Sequence, residues 1–257
     1  MTHSNFIITM SPAKKFASSF DTPSIDMSQP HFLSLADELA DKLRKLSKED
    51  LQKTMSISDA IASLNHLRYQ SYQDKFKHGD PCGLLFAGDA FKSLELASFS
   101  TEDLTRAQSS LFIISGLYGL LRPLDKIQPY RLEMGCKIKS FLGFSLPEYW
   151  QKTLTDHINT IANSEGKTHH LNLASQEYSQ SIDQHRLSIP SINFVFATPN
   201  PNGYKIIGIK AKKARGAMIR FLLTKPAVSL NEIRSFAQGY TYSKSHSTDD
   251  TYVFLES

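Results

Sequence analysis

Runs of apolar residues, rich in β-branched and aromatic side chains, recur along the whole chain and predict buried strands. They lie at 5–10, 83–86, 111–115 and 252–255. Two further runs, 192–198 and 204–209, flank Pro199-Asn-Pro-Asn-Gly203, and this spacing predicts a hairpin with a long loop. The strands are therefore spread from the first residues of the chain to the last.

Between these runs, apolar residues recur at helical spacing. Leu35, Leu39 and Leu43 lie four positions apart and predict a helix over 34–46. Ser47-Lys-Glu-Asp50 has the pattern of a capping box for a second helix, and Ser58 precedes a third that is predicted to reach about Phe76. Further helices are predicted over 101–109, 147–163, 211–223 and 229–236.

Strands and helices are mixed from end to end, without an internal repeat or a clean linker. The pattern predicts one α+β domain over 1–257, with a central mixed sheet and helices packed around it. Its 40% hydrophobic and 21% charged residues are typical of a globular protein and exclude a disordered one.

Charge and cysteine content narrow the picture further. The net charge of +4 is a small excess, so an argument for nucleic-acid binding depends on where the cations lie. Two cysteines, Cys82 and Cys136, imply no disulfide framework and favour a reducing compartment. With no signal peptide and no apolar run of about 20 residues, we expect a cytoplasmic protein without a membrane segment.

The richest motif, SGLYGLLRPLDKIQPYRLEMG, follows the predicted strand at 111–115. Its glycines permit tight turns and its prolines stiffen the path. Two arginines and two acids lie within it: Arg122, Asp125, Arg131 and Glu133. They form either a structural salt-bridge network or a site in which the acids orient the guanidinium groups toward a phosphate.

The predicted helix at 211–223 carries a second group of cations. Its apolar residues fall on one face, and Arg215 lies at the edge of that face, where it should be partly buried. Lys212 and Lys213 lie farther from the apolar face. This helix is either a solvated surface element or one side of an anion site.

Short polar motifs elsewhere supply further candidates. Ser11 and Lys14 follow the first strand, and they suit either a simple turn or a Ser–Lys nucleophile. Ser175 and Glu177 suit helix capping or a pocket, as does Asp89. The histidines are scattered and no Walker or Rossmann glycine pattern occurs, so we expect no metal and no cofactor.

Six segments in order resemble the YaaA family of peroxide stress proteins: Ser11-Pro-Ala-Lys14, Gly88-Asp89, Ser115 to Gly135, Asn172 to Tyr178, Ala211 to Gly216 and Gly239-Tyr240. The resemblance implies a compact "cantaloupe-like" fold and protection from hydrogen peroxide by limiting unincorporated iron. It also implies binding of double-stranded and branched DNA through a cationic cleft and a helix-hairpin-helix element. That element matches residues 47–71, with its candidate contacts at Lys48, Lys53, Ser56 and Ser58.

Two functions follow as expectations. The first is a monomeric DNA-binding protein that recognises backbone shape through its clustered cations, which are Lys14, Arg122, Arg131, Lys212, Lys213 and Arg215. The alternative is an enzyme acting on a nucleotide or another phosphorylated small molecule in the same pocket. Asp125, Glu133 or Glu177 would then act as acid or base. Both require that distant cations meet after folding.

Overall fold

Strands and helices alternate along the chain. The structure, a computed structural model, describes residues 5–20, 26–72, 79–225 and 227–257. Its strands are β1 (Phe6–Met10), β2 (Asp80–Pro81), β3 (Leu111–Ser115), β4 (Gly119–Leu121), β5 (Lys126–Ile127), β6 (His169–Leu173), β7 (Ser191–Asn200), β8 (Gly203–Lys205), β9 (Tyr240–Tyr242) and β10 (Thr251–Glu256). Its α-helices are α1 (Leu33–Arg44), α2 (Lys48–Met55), α3 (Asp59–Gln70), α4 (Cys82–Leu85), α5 (Asp89–Leu94), α6 (Thr101–Ser110), α7 (Lys139–Leu142), α8 (Leu146–Glu165), α9 (Gln176–Ser179), α10 (Gly208–Leu223) and α11 (Leu230–Arg234).

Eight of the strands form one mixed sheet, in the order β4-β3-β1-β6-β7-β10-β9, with β8 paired to the end of β7. Strands β3, β1, β6, β7 and β10 are parallel to one another, whereas β4 and β9 run antiparallel at the two edges. Strands β2 and β5 pair separately. Because the five parallel strands point the same way, their carboxyl ends meet along one edge of the sheet.

The central strands are continuously apolar because helices cover both faces of a parallel sheet. Every residue of β1 and of β3 is buried, and Ile7, Ile8 and Ile113 are fully so. This core confirms the predicted fold class of a central mixed sheet wrapped by helices.

Capping explains where several helices begin. The predicted box at α2 is present, since the Ser47 hydroxyl accepts from the Asp50 amide while the Asp50 carboxylate accepts from Ser47. The long helix α8 has Pro147 in its first turn and ends at Gly166, whose φ is 64°. Both features agree with the prediction for this helix.

One predicted strand was wrong and another was wrong in part. The run at 83–86 is not a strand, because amides of Cys82 and Gly83 bind the Asp125 and Pro123 carbonyls and the chain closes the helical turn α4. The run at 204–209 is a strand only to Lys205, and α10 begins at Gly208. The predicted end of the third helix, at Phe76, lies outside the described residues; α3 ends at Gln70.

Candidate anion-binding site

A cavity of about 310 Å³ opens at the carboxyl edge of the sheet, beside the ends of β1 and β6. We call it the Arg215 pocket. Its polar lining consists of Ser11, Lys14, Lys15, Asp89, Lys92, Ser175, Glu177, Tyr178, Lys212 and Arg215. Seven of these ten residues are ones that the sequence predicted for a polar or cationic pocket.

Two serines join the strand ends at the pocket. Met10 of β1 is the register partner of Leu173 of β6, so the loops that follow these residues leave the sheet side by side. The Ser175 amide donates to the Ser11 hydroxyl oxygen at 2.9 Å, and that hydroxyl donates to the Ser175 oxygen at 3.2 Å. Residues 164 positions apart are thereby fixed in one wall of the pocket.

Arg215 reaches the pocket from α10. Ala211, Ala214 and Met218 are buried on the apolar face of this helix, and Arg215 is partly buried at its edge, as predicted. Its Nε atom is buried without a hydrogen-bond partner, and no carboxylate among the described residues pairs with it. Burial lowers the pKa of the Arg215 guanidinium, although an arginine remains charged at neutral pH. An unpaired, partly desolvated cation in a cavity has the chemistry to bind an anion.

Gly216 allows α10 to approach α5 closely. A Cβ at this position would lie 1.9 Å from the Ala90 carbonyl oxygen, so any larger residue would push the two helices apart. The close crossing brings Asp89, the first residue of α5, and Arg215 into the same cavity.

Glu133 holds two cations beside the pocket. Its Oε1 lies 3.2 Å from the Lys14 Nζ and 2.7 Å from an Arg131 nitrogen, and the Glu133 side chain is almost fully buried. Nearby, the Gly135 amide donates to the Glu177 carboxylate at 3.1 Å, which fixes the direction of that side chain. Glu133 therefore orients two cations beside the pocket, and Glu177 is itself oriented within the pocket lining.

Arg122 and Asp125 lie elsewhere, in a region that we call the Arg122 corner. This second cavity, of about 540 Å³, is also lined by His31, Gln108 and His157. Strand β4 runs antiparallel to β3, so Arg122, which follows β4, lies toward the amino end of β3. Its Nη2 lies 3.2 Å from the Asp125 carboxylate, whose pKa is raised chiefly by burial. Arg122 does not converge with Arg215.

The helix pair α2–α3 matches the predicted helices, but its polar residues do not line the Arg215 pocket. Lys48 pairs with Asp59 at 2.8 Å, and Lys53 is exposed. Ser56 ends α2 in a left-handed conformation with φ 52°, and Ser58 precedes α3 without a side-chain cap. No glycine occurs from 47 to 78, so the DNA-binding role of this turn stays a prediction.

Sequence reasoning missed three lining residues. Lys15 follows Lys14 directly, and Lys92 lies one helical turn after Asp89, so proximity to predicted residues was the available signal. Tyr178 is buried and gives no polar signal. Lys213, by contrast, was predicted but is exposed outside the pocket lining.

Within the ranges that the structure describes, no group of three or more His, Cys, Asp or Glu side chains is placed to hold a metal ion. No helix in these ranges is both long enough and apolar enough to cross a membrane.

These features define an α/β protein with a cationic pocket at the carboxyl edge of a largely parallel sheet. A family model described as peroxide stress protein YaaA matches residues 6–246, and the chain belongs to this family. The UPF0246 protein IL2146 of Idiomarina loihiensis is 39% identical over 251 residues, which cover 96% of this chain and 97% of that protein. UPF0246 proteins of Aliivibrio fischeri and Legionella pneumophila are each 38% identical with the same coverage.

Proposed function

We propose that the Arg215 pocket binds the phosphate group of a nucleotide or another phosphorylated small molecule, and that the chain acts through it in the response to peroxide stress. The unpaired Arg215 guanidinium carries this proposal. A planar guanidinium binds phosphate bidentately, and the neighbouring Lys14 and Lys212 add positive charge on the same cavity.

The size of the pocket favours a small ligand. At about 310 Å³ it falls at the lower end of small-molecule sites, which range from about 300 to 1,000 Å³. A phosphate with part of a sugar or base fits such a space, whereas a duplex remains outside it.

Two carboxylates in the pocket could act as a general acid and a general base on that ligand. Asp89 and Glu177 both line the pocket, and Glu177 is held by the Gly135 amide. A general acid or base must lie within hydrogen-bond reach of the group it protonates, and Asp89 and Glu177 are the acidic residues of the pocket lining. We therefore also propose that the chain is an enzyme that acts on a phosphorylated small molecule.

Calorimetric titration with inorganic phosphate and a nucleotide panel tests the proposal. We expect Arg215→Gln to weaken the best ligand about 10- to 100-fold, since a hydrogen bond to a charged group contributes roughly 1.5–3 kcal/mol. Arg122→Gln is the matched control and should bind as the unmodified chain does. Binding that survives Arg215→Gln, or is absent across the panel, contradicts the proposal.

DNA binding is the second candidate, and the distribution of acids favours it. No acidic residue occurs from 184 to 231, a stretch that includes Lys212 and Lys213. Lys212, Lys15 and Lys92 are exposed in the lining of the pocket, and the exposed Lys213 follows Lys212 outside that lining. A DNA backbone lying across the mouth would place phosphates against them without entering the cavity.

Salt dependence tests the DNA candidate. Each neutralised phosphate contributes about 0.9 to the slope of log affinity against log salt for duplex DNA. We expect Lys212→Gln with Lys213→Gln to lower that slope by about 2 and to weaken all sequences alike. If the chain does not bind DNA at ~50 mM salt, this candidate is wrong. The contacts at α2–α3 and the link to unincorporated iron stay predictions.

A further inference from the structure

A narrow cleft, which we call the Arg131 cleft, lies beside the Arg215 pocket. Arg131 and Glu133 form part of its lining, and the residues that line both the cleft and the pocket are Pro12, Ala13, Lys14 and Tyr178. The cleft and the pocket therefore share one wall. With a volume of about 10 Å³, the cleft has room for a group the size of one water molecule or one phosphate oxygen.

Arg131 has hydrogen-bonding capacity that the described part of the chain leaves unused. Its side chain is 18% exposed, and one terminal nitrogen lies 2.7 Å from the Glu133 Oε1 atom. The Arg131 Nε atom is buried and has no hydrogen-bond partner among the described residues. A guanidinium carries five N–H donors in a rigid plane, so one carboxylate oxygen satisfies only part of it. Arg131 can therefore accept a second negatively charged group in the cleft.

Hydrogen bonds from buried tyrosines hold the main chain at Arg131 in place. The Tyr69 hydroxyl donates to the Arg131 carbonyl oxygen at 2.9 Å. The hydroxyl of the preceding residue, Tyr130, hydrogen-bonds the Ser115 hydroxyl at the end of β3 at 2.6 Å. A cation that is already fixed loses little conformational entropy when a ligand binds.

Lys14 connects the cleft with the Arg215 pocket. Its Nζ lies 3.2 Å from the same Glu133 oxygen that Arg131 contacts, and its side chain is 61% exposed. One carboxylate is thus shared by two cations, which leaves a positive charge in excess around it. Because an exposed ion pair contributes little to stability, Lys14 can turn from Glu133 toward a ligand at small cost.

The charge of the Arg215 pocket favours a ligand with more than one phosphate. Five lysine and arginine side chains line the pocket against two acids, Asp89 and Glu177, which is an excess of three positive charges. A phosphomonoester carries about −1.5 to −2 at neutral pH, so one phosphate leaves part of this charge uncompensated. A second phosphate, joined to the first through a bridging oxygen, adds negative charge close to the first.

We propose that the ligand of the Arg215 pocket is a diphosphate, as in inorganic pyrophosphate or a nucleoside diphosphate, with one phosphate at Arg215 and the other at Lys14 and Arg131. An oxygen of the second phosphate then enters the Arg131 cleft, where the guanidinium contacts both this oxygen and Glu133. The inference rests on the proposed function and narrows its substrate class, because a monophosphate fills only the Arg215 end of the site.

Calorimetric titration with AMP and ADP tests this inference, with phosphate and pyrophosphate as the pair that lacks a nucleoside. We expect the unmodified chain to bind the diphosphate of a pair at least about tenfold tighter, as an added hydrogen bond between charged groups does. Arg131→Gln and Lys14→Gln should each remove most of this preference and change AMP binding less than about threefold. Lys139→Gln is the matched control, because Lys139 also pairs with an acid and is 63% exposed.

The outcomes separate this inference from the proposed function. A preference in only one pair supports the inference and identifies the source of the diphosphate. If Arg215→Gln weakens AMP binding but neither diphosphate binds tighter than its monophosphate, the inference is wrong and the proposed function stands. If none of the four probes binds, both fail.

The variants also test where the second phosphate lies. A preference for diphosphate that survives both Arg131→Gln and Lys14→Gln overturns the inference, and so does an equal loss of AMP and ADP binding in Arg131→Gln. Melting curves identify a variant that does not fold. If Arg131→Gln is such a variant, Lys14→Gln decides, because the Lys14 side chain is exposed.

Discussion

Two arginines of this chain show how differently a cation can be used. Arg122 is fixed by the buried carboxylate of Asp125, three positions later, and its own amide also donates to that carboxylate. Arg215 has no acid nearby in sequence and no carboxylate partner among the described residues. Both lie in cavities, but only Arg215 has charge left for a ligand. A cation's partners, more than its exposure, separate structural from binding roles.

The largest effect is expected from a substitution that changes the Arg215 pocket and leaves the Arg122 corner intact. Gly216→Val places atoms where the Ala90 carbonyl lies and should cost about 3 kcal/mol of unfolding free energy, as overpacking does. Phosphate binding should fall with it, because α10 moves away from α5. Urea unfolding measures the cost, with Gly216→Ala as the milder variant.

Gly208→Ala is the control on the same helix, since no atom lies within 4 Å of a Cβ there. Its effect should stay within about 0.5 kcal/mol. Equal stability of Gly208→Ala and Gly216→Val would show that the helix crossing does not position the pocket.

The second test compares two similar substitutions that should change the free energy of unfolding in opposite directions. Arg122→Gln leaves the buried Asp125 carboxylate without its cation and should lower the free energy of unfolding by about 1–2 kcal/mol. Arg215→Gln removes an uncompensated charge and should leave stability unchanged or raise it by up to about 1 kcal/mol. Paired urea titrations at pH 7 check this, and losses of equal size would erase the distinction between the arginines.

A smaller effect is expected from the acid beside the pocket. Glu133→Gln removes a negative charge that Lys14 and Arg131 now share, so phosphate should bind about fivefold tighter, or about 1 kcal/mol. Glu49→Gln, an exposed acid of α2, is the control and should change nothing. Weaker binding in Glu133→Gln would mean that Glu133 positions Lys14 for the ligand.

The smallest effect concerns protonation at the Arg122 corner. Burial, then His31 and Arg122, lower the pKa of His157 to about 4. Because this folded pKa lies below the unfolded value of about 6.5, the contribution to stability is complete above pH 6.5 and is lost as pH falls toward 4. An NMR titration should show Arg122→Gln raising the pKa of His157 and Arg215→Gln leaving it unchanged.

Sequence reasoning identified most elements and most pocket residues, for physical reasons that differ by residue. Helical spacing alone placed Arg215 at the edge of an apolar face, and the structure confirms that position. Sequence reasoning could not predict that Arg122 and Arg131 lie in different regions of the molecule. The antiparallel pairing of β4 with β3 takes Arg122 away, and that pairing cannot be read from the hydrophobic pattern. The apolar run at 83–86 misled because tertiary hydrogen bonds from Cys82 and Gly83 override a local strand preference.

The hydrogen bonds between Ser11 and Ser175 also determine when the pocket can form during synthesis of the chain. During synthesis Ser11 leaves the ribosome first, and its partner follows 164 residues later, which takes about 8–30 s at translation rates of about 5–20 residues per second. Strand β3 is made in the interval and can already pair with β1. A nascent chain thus carries half of the sheet before the Arg215 pocket is complete, because the pocket also needs Ser175 and Arg215 from the second half of the chain.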